Sequence, residues 1–405
     1  MSHARSVSVR GQSIRSDAIR GKVAIVGAAD TQVGKVPQLS ATQLCIDAAL
    51  RALADAGIDK SGVDGLVTCN SMAEPHMYHA EAMAEYLQIF PRYCVSAGAG
   101  GATTFTVVHQ AAMAIASGVC DTVLISMADS LRTGLTRAQA MVTQSSSGHP
   151  QFETPYGCTV PGYYALIARA YMDKYGVTPE QLAAVAVNAR QHASLHPGAQ
   201  MREPITIADV LNSRLIADPL HLLDCSLVSD GGAAIILTSA ERARDFPHPP
   251  VYLLGAGEGH GHEHISQALS LTSSFAKQSG ERAYAMAGLG PNDIDFVELY
   301  DCFTPVVLLE LEDLGFCSPG EAGAFVAEGH TRSGGLLPMN THGGLLSHCH
   351  PGNPGSMFAL TEATLQLRHA TGARQVANAH TALVHAQGGI LSSHCTLILG
   401  REPRT

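Results

Sequence analysis

The stretch SAGAGGATTFTVVHQAAMAIASG, residues 96–118, has the pattern of a strand end, a glycine turn and a helix that runs from about Thr103 to Ala116. Free amides and the helix dipole at such a helix start favour negative charge, so it is a suitable place for a reactive group or an anion. Residues 98–102 of the turn nevertheless include no cysteine, serine, lysine or acid. The sequence therefore predicts a reactive setting without a nucleophile of its own.

Two side chains in the second half of the chain could transfer protons. Tyr300 lies in ELYDCFTP, and His350 lies in NTHGGLLSHCHPGNPG. A phenol and an imidazole can both serve as general acid or base. Because a free phenol has a pKa of about 10, Tyr300 would be a base at neutral pH only if nearby cations or donors lowered that pKa.

The histidines beside His350 raise the question of a metal. His348 and His350 form an HxH motif, and His342 lies shortly before it. A zinc site needs three or four protein ligands, and no further ligand follows at a recognisable spacing. We therefore predict no metal site.

The elements that must position these residues are repeated along the chain. KVAIVGAAD at 22–30 and PVYLLGAGE at 250–258 are apolar strands, and each is followed by an alanine-rich helix and a second strand. Ala-Gly-Ile at 56–58 aligns with Ala-Gly-Leu at 287–289. This order predicts an α/β fold of two pseudo-twofold-related βαβ halves, with mostly parallel central sheets covered by helices.

The repeat also predicts the domain organisation, because residues from about 128 to 248 have no counterpart in the second half. We expect Asp230 in this region to anchor a turn rather than do chemistry. The predicted units are a flexible N-terminal tail at 1–20, a first half formed by 21–127 and 220–248, an inserted loop lobe over the site at 128–219, and a second half at 249–405.

Composition excludes several classes of partner. The net charge of −10 comes without a basic stripe, so we expect no nucleic-acid binding. No apolar run approaches the roughly 18 residues of a membrane span. The ten cysteines contain no CxxC pair, which is typical of reduced thiols and predicts a cytoplasmic protein.

An ordered series of blocks carries a family resemblance. ELYDCFTP, NTHGGLLSHCHPGNPG, HAQGGILSSH and PLHLLDCSLVSDGGAAIIL resemble the motif blocks of the sterol-carrier-protein-type thiolases, and the similarity spans about residues 20–402. The resemblance implies the thiolase fold, with its two halves in five layers. In that family the helix start holds a cysteine that accepts the acyl group, and this position falls on Gly101. Cys94 lies upstream in an apolar strand, where we expect an inert core thiol.

Departures from the family pattern point to one branch of it. The family's His-Asp-Cys-Phe reads Tyr-Asp-Cys-Phe at 300–303, and its Gly-His-Pro reads Cys-His-Pro at 349–351. The exchange of histidine for Tyr300 and the missing cysteine resemble acyl-CoA aldolases of steroid side-chain degradation. That branch has a second tyrosine where this chain has His350.

The resemblance implies a retro-aldolase that cleaves a 3-hydroxyacyl-CoA into a ketone or aldehyde and a shortened acyl-CoA, with no covalent acyl-enzyme. Tyr300 and His350 would be the acid and base, in either order. No bound cofactor is expected, since coenzyme A enters as part of the substrate. The acyl group and the physiological direction of the reaction stay open.

Other residues are assigned by their position in the blocks. Gly343, Gly344, Gly388 and Gly389 would let the backbone approach the acyl thioester, although ordinary tight turns are the alternative. His385 falls near the family's second reactive cysteine, in an ambiguous register. We assign these five residues to substrate and coenzyme A binding.

Two other functions stay open. The chain could be an acetyl-CoA acetyltransferase, thiolase or other acyltransferase that uses a different cysteine, such as Cys94, or a non-catalytic subunit of a heteromeric acyl-CoA complex. The resemblance also implies partners, namely a homodimeric core and a small OB-fold protein with a zinc ribbon.

Overall fold

The computed structural model describes residues 19–157 and 159–403, so most of the predicted tail at 1–20 lies outside the described residues. The strands are β1 (Val23–Asp30), β2 (Gly65–Cys69), β3 (Tyr93–Ala97), β4 (Thr122–Ser130), β5 (Leu215–Ala217), β6 (Leu220–His221), β7 (Asp230–Ser239), β8 (Val251–His260), β9 (Phe296–Glu298), β10 (Thr381–Gly388) and β11 (Ser393–Gly400). The α-helices are α1 (Ala41–Ala56), α2 (His79–Leu87), α3 (Thr103–Ala116), α4 (Arg137–Ser145), α5 (Val160–Tyr175), α6 (Pro179–Leu195), α7 (Ile207–Asn212), α8 (Ala276–Ala287), α9 (Thr304–Asp313), α10 (Ala322–Ala327), α11 (Gly344–Ser347) and α12 (Gly355–Leu367).

Nine of the described strands form one sheet in the order β3-β2-β4-β7-β1-β8-β11-β10-β9. The two halves join edge to edge where β1 pairs with β8 through Ala24–Tyr252 and Ile25–Val251. Within each half all strands but one run the same way, as predicted. The exceptions are β7 and β11. Each runs antiparallel to both of its neighbours, so the sheet contains both parallel and antiparallel strand pairs. For β11 the cause is the short connection from β10, which allows only an antiparallel pair.

Helices cover the sheets in layers. Successive residues of β7 point to opposite faces, since Gly231 faces Phe358 of α12 and Gly232 faces Leu44 of α1. Helix α8 packs on β8 and β11, whereas α3 contacts strands of both halves. The resulting order is α1, the first-half strands, α3 with α12, the second-half strands and α8, which is the five-layer arrangement that the family resemblance implies.

The internal repeat is visible where the outer helices end. Helix α1 is followed by Gly57 at φ 66°, and α8 is followed by Gly288 at φ 64°. Both residues adopt the left-handed conformation that favours glycine after a helix. The alignment of these two segments in the sequence is thus confirmed, and β1, β2, β4 and β7 correspond to β8, β9, β10 and β11.

Helices form the main elements of the insertion. Residues 128–219 contain α4 to α7 and strand β5, and β6 follows directly at Leu220–His221. Thr136 and Thr178 each form a capping box with a glutamine three residues later, which satisfies the first free amides of α4 and α6. Strand β4 also continues to Ser130, past the predicted boundary at 127.

No helix in the described part of the chain is long and apolar enough to cross a membrane. The cysteines described there are free thiols.

Asp230 fixes the start of β7. Its buried carboxylate accepts backbone N–H groups from Val36 at 2.9 Å and from Arg132 and Thr133 at 2.9 and 3.0 Å. The prediction that Asp230 anchors a turn is confirmed, because it ties the loops at Val36 and at Arg132 to the start of β7.

Replacing Asp230 with alanine should destabilise the protein, since the three amides lose a charged acceptor. We expect a loss of about 2–4 kcal/mol in the free energy of unfolding, measured by urea denaturation. The matched control is Asp173→Ala at an exposed position of α5, which should leave the midpoint unchanged. Equal midpoints for the two variants would contradict the anchoring role.

Candidate active site

Tyr300 and His350 meet in the structure. Tyr300 follows β9, and His350 lies in the loop between α11 and α12. The phenol oxygen of Tyr300 lies 3.1 Å from Nε2 of His350, whose Nδ1 lies 3.2 Å from Oγ of Ser226. Tyr300 is buried and His350 is half-buried. Two side chains predicted from separate blocks are therefore joined by one hydrogen bond.

Both members of the pair are neutral at pH 7. Burial raises the pKa of Tyr300 well above its usual value, and the acidic groups of Cys302 and Glu310 raise it further. Burial lowers the pKa of His350 to about 4. The phenol thus donates to Nε2, and the ring proton is on Nδ1. The condition for a resting phenolate is not met, so Tyr300 can act as a base only while His350 takes its proton.

Gly101 leaves the space that Tyr300 occupies. A Cβ atom at position 101, just before α3, would overlap Cζ and the phenol oxygen of Tyr300. The same Cβ atom would lie 2.5 Å from the carbonyl oxygen of Gln387, so these close contacts, and not the backbone angles, require glycine here. The place that the thiolase resemblance assigns to a nucleophilic side chain is filled by the phenol.

The starts of the two central helices converge on this pair. Oγ of Ser356, in the first turn of α12, donates to the carbonyl oxygen of Gly101 at 2.6 Å. A Cβ atom at Gly355 would lie 3.0 Å from Cδ2 of His350. Both helix dipoles therefore favour negative charge near Tyr300 and His350, as an enolate would carry.

Two buried carboxyl groups hold the loops of the pair. Oε2 of Glu310 accepts the backbone N–H of Tyr300 at 3.0 Å, and Oδ1 of Asp301 accepts that of Leu345 at 2.6 Å. Burial raises the pKa of Asp301 to about 6 and that of Glu310 well above its usual range.

Sequence reasoning missed Glu310 and Ser226. Glu310 lies in α9, and Ser226 lies in the loop before β7. Neither has a spacing that marks it as a partner of the pair. Asp301 could have been found, because it stands beside Tyr300 in the ELYDCFTP block.

The first predicted glycine pair packs against protein. Gly343 and Gly344 have φ values of 108° and 64°. A Cβ atom at Gly343 would press on Ala193 of α6, and one at Gly344 would overlap the carboxylate of Asp301. These glycines let the loop before His350 lie close to the insertion. Their contact with a thioester stays a prediction.

The second pair lies against the glycine turn. A Cβ atom at Gly388 would overlap the carbonyl oxygen of Ala99, and Gly389 has a φ of 64°. The carbonyl oxygen of Gly389 accepts a hydrogen bond from Tyr164 of the insertion at 3.0 Å. The pair therefore brings the turn before α3 against the end of β10, and substrate contact stays a prediction here too.

His385 lies inside the second half. Its Nδ1 lies 2.8 Å from Oγ1 of Thr396, and its Nε2 lies 3.2 Å from Nδ1 of His394 and 3.8 Å from Oε1 of Glu310. It lines a small buried cavity beside Tyr300. His385 is thus held inside the second half by Thr396 and His394, and its assignment to substrate binding stays a prediction.

Cys94 is half-buried on β3 and lines a surface groove with Glu81 and Phe90, not the cavity beside Tyr300. The expectation of a core thiol is therefore only partly correct. Burial and the charge of Glu81 raise the pKa of Cys94. A thiol with a raised pKa is a poor nucleophile at pH 7.

The fold is that of a thiolase. The thiolase N-terminal domain matches residues 23–241, and the thiolase C-terminal domain-like family matches residues 257–401. The chain belongs to the thiolase family.

The relatives of this chain include both aldolases and an acyltransferase. A steroid side-chain-cleaving aldolase of Thermomonospora curvata is 40% identical, over 94% of this chain and 98% of the relative. An acetyl-CoA acetyltransferase of Methanothermobacter thermautotrophicus is 34% identical, over 91% of this chain and 96% of the relative. Among solved structures, an Ltp2-ChsH2(DUF35) aldolase matches with a TM-score of 0.85 and 38% identity, over 94% of this chain and 98% of that chain.

Replacing Gly101 with alanine should displace Tyr300 and destabilise the protein by about 1–3 kcal/mol, as overpacking of a filled site does. The control is Gly98→Ala in the same turn, where a Cβ atom would meet nothing within 4 Å. In a Tyr300→Ala background the cost of Gly101→Ala should fall, which a double-mutant cycle of unfolding free energies measures. An undiminished cost in that background would contradict the contact.

Proposed function

We propose that this thiolase-family chain is a carbon–carbon lyase, a retro-aldolase that cleaves a 3-hydroxyacyl-CoA into a ketone or aldehyde and a shortened acyl-CoA. The observation that carries the proposal is the Tyr300 phenol, which fills the place of a nucleophile beside Gly101 and is hydrogen-bonded to His350. The aldolases among its relatives support the same reaction class.

The pair can perform the cleavage without a covalent intermediate. The 3-hydroxyl proton passes to the Tyr300 oxygen while the phenol proton passes to Nε2 of His350. The O–H electrons form the C3=O bond, the C2–C3 bond breaks, and its electrons form the thioester enolate. The imidazolium of His350 then returns a proton to C2, so that atoms and charges balance. Coenzyme A stays on the shortened acyl group throughout.

Neutrality of the pair suits this exchange. Because the pKa of the phenol is high and that of the imidazole is low, both groups are uncharged before the substrate binds. Charge develops only in the transition state, where the starts of α3 and α12 favour the enolate. We propose a steroid-like acyl group because the Thermomonospora curvata relative is a steroid side-chain-cleaving aldolase.

An acyltransferase is the second candidate, favoured by the acetyl-CoA acetyltransferase relative. It requires a cysteine that reaches the thioester. Cys302 follows Tyr300 by two residues, and its Sγ lies 3.2 Å from Nε2 of Gln387. It is buried, however, and burial raises its pKa far above neutrality. A non-catalytic subunit is the third candidate. Loss of activity when Tyr300 is replaced with phenylalanine, which removes only the hydroxyl group, would exclude it.

We further propose a cytoplasmic protein with a homodimeric core and a small OB-fold partner that carries a zinc ribbon. The free thiols of the described cysteines support a reducing compartment. The DUF35 component named with the matching aldolase structure supports a partner of that kind.

Replacing Tyr300 with phenylalanine should lower kcat for 3-hydroxyacyl-CoA cleavage by about 10²- to 10⁴-fold, because the shuttle loses its central oxygen. Release of ketone is measured without added coenzyme A, for the chain alone and with a DUF35-type partner. The control is Tyr284→Phe. Tyr284 lies on α8, and its phenol donates to the carbonyl oxygen of Leu314 at 3.1 Å. Full activity in the Tyr300 variant would overturn the assignment.

The pH profile should be flat over the neutral range. The pKa of His350 is lowered to about 4 in the free enzyme, so kcat/KM should fall only as the pH drops through about 4, where the protonated ring no longer accepts the phenol proton. Brief pH-jump assays avoid acid unfolding. A rate that rises tenfold per pH unit between about 6 and 9 would mean that an ionised phenol is required, which contradicts a neutral pair.

A further inference from the structure

Three ligand-type side chains from distant parts of the chain meet outside the catalytic pair. They are Asp30 at the end of β1, His196 at the end of α6 and His348 two residues before His350. One possible ligand atom from each lies within 4.8 Å of the other two. The first half, the insertion and the second half each contribute one member.

His348 is the unusual member of this cluster. It is 2% exposed, and neither ring nitrogen has a hydrogen-bond partner. Its ring packs against His196 at 4.5 Å and Phe358 at 5.4 Å between centroids. A buried imidazole without any partner costs free energy, and such groups in native proteins are usually satisfied by water or an ion.

The two other members can adjust. Asp30 and His196 are both half-buried. Nδ1 of His196 accepts the amide of Gly198 at 3.0 Å in an exposed turn, so a cation that takes this nitrogen displaces only one exposed hydrogen bond. Zinc bonds of about 2.1 Å would bring the ligand atoms to about 3.4 Å from each other, which requires a modest inward shift of the side chains.

We propose that Asp30, His196 and His348 bind a divalent transition-metal ion, with zinc as the best fit. Two imidazole nitrogens and one carboxylate oxygen are a set that zinc prefers, and three protein ligands leave a position for water. The prediction of no metal site was based on spacing in the sequence. Spacing could not reveal these ligands, because only the fold brings positions 30, 196 and 348 together.

The ion would cross-link three parts of the chain. His348 and His350 share one loop, so a metal that holds His348 also holds the loop from which His350 reaches Tyr300. His196 would tie the end of α6 to that loop, beside the contact of Ala193 with Gly343. The inference does not depend on which reaction the pair performs.

The test uses untagged full-length protein that has been stripped with a chelator. Cobalt(II) is added as a spectroscopic probe, and zinc binding is measured by calorimetry and by the thermal midpoint Tm. We expect one equivalent of cobalt with the intense visible absorption of a four-coordinate site, displaced by zinc, and a higher Tm with zinc. His196→Gln and His348→Gln should weaken binding at least tenfold and remove the Tm increase.

His380→Gln is the matched control, because this exposed histidine precedes β10. It should bind cobalt and zinc as the wild type does. His196→Gln replaces a half-buried residue and should fold even where His348→Gln does not. The proposal is overturned if the wild type takes up no equimolar cobalt, or if His196→Gln retains wild-type affinity for both metals. Loss of activity with intact metal uptake would count against the proposed reaction and not against this site.

Discussion

The space beside the start of α3 is filled by the phenol of Tyr300 and leaves no room for a side chain at position 101. The chain has glycine at 101, and the phenol fills the space within 3.1 Å of Nε2 of His350. This steric exclusion links two positions that are far apart in the sequence. It also decides the chemistry, because a phenol beside an imidazole moves protons, whereas a cysteine at the same place would accept an acyl group.

The surrounding elements hold Gly101, Tyr300 and His350 in these positions. The central helices α3 and α12 start beside the pair and are tied together by the hydrogen bond of Ser356 to the carbonyl of Gly101. Glu310 and the Asp301 carboxylate fix the loops before α9 and at α11 through backbone amides. Because these groups are buried, the pair stays uncharged, and the helix dipoles can favour charge that develops only during the reaction.

The sequence predicts much of this arrangement. Helix α3 has the predicted bounds of Thr103 and Ala116, and the repeat marked by Gly57 and Gly288 is present. These features are local, since glycine caps and apolar periodicity are visible in a short window. Contacts between distant segments were not predictable. Ser226 and Glu310 carry no spacing signal, and a pKa depends on burial that the sequence does not display.

The fate of coenzyme A tests the central claim most directly. The chain is incubated with a 3-hydroxyacyl-CoA in the presence of isotope-labelled free coenzyme A, and the products are analysed by mass spectrometry. Retro-aldol cleavage predicts an unesterified ketone or aldehyde and a shortened acyl-CoA that keeps the original, unlabelled coenzyme A. Labelled coenzyme A in a product thioester would mean that an acyl group passed through the enzyme to a thiol, which contradicts the account.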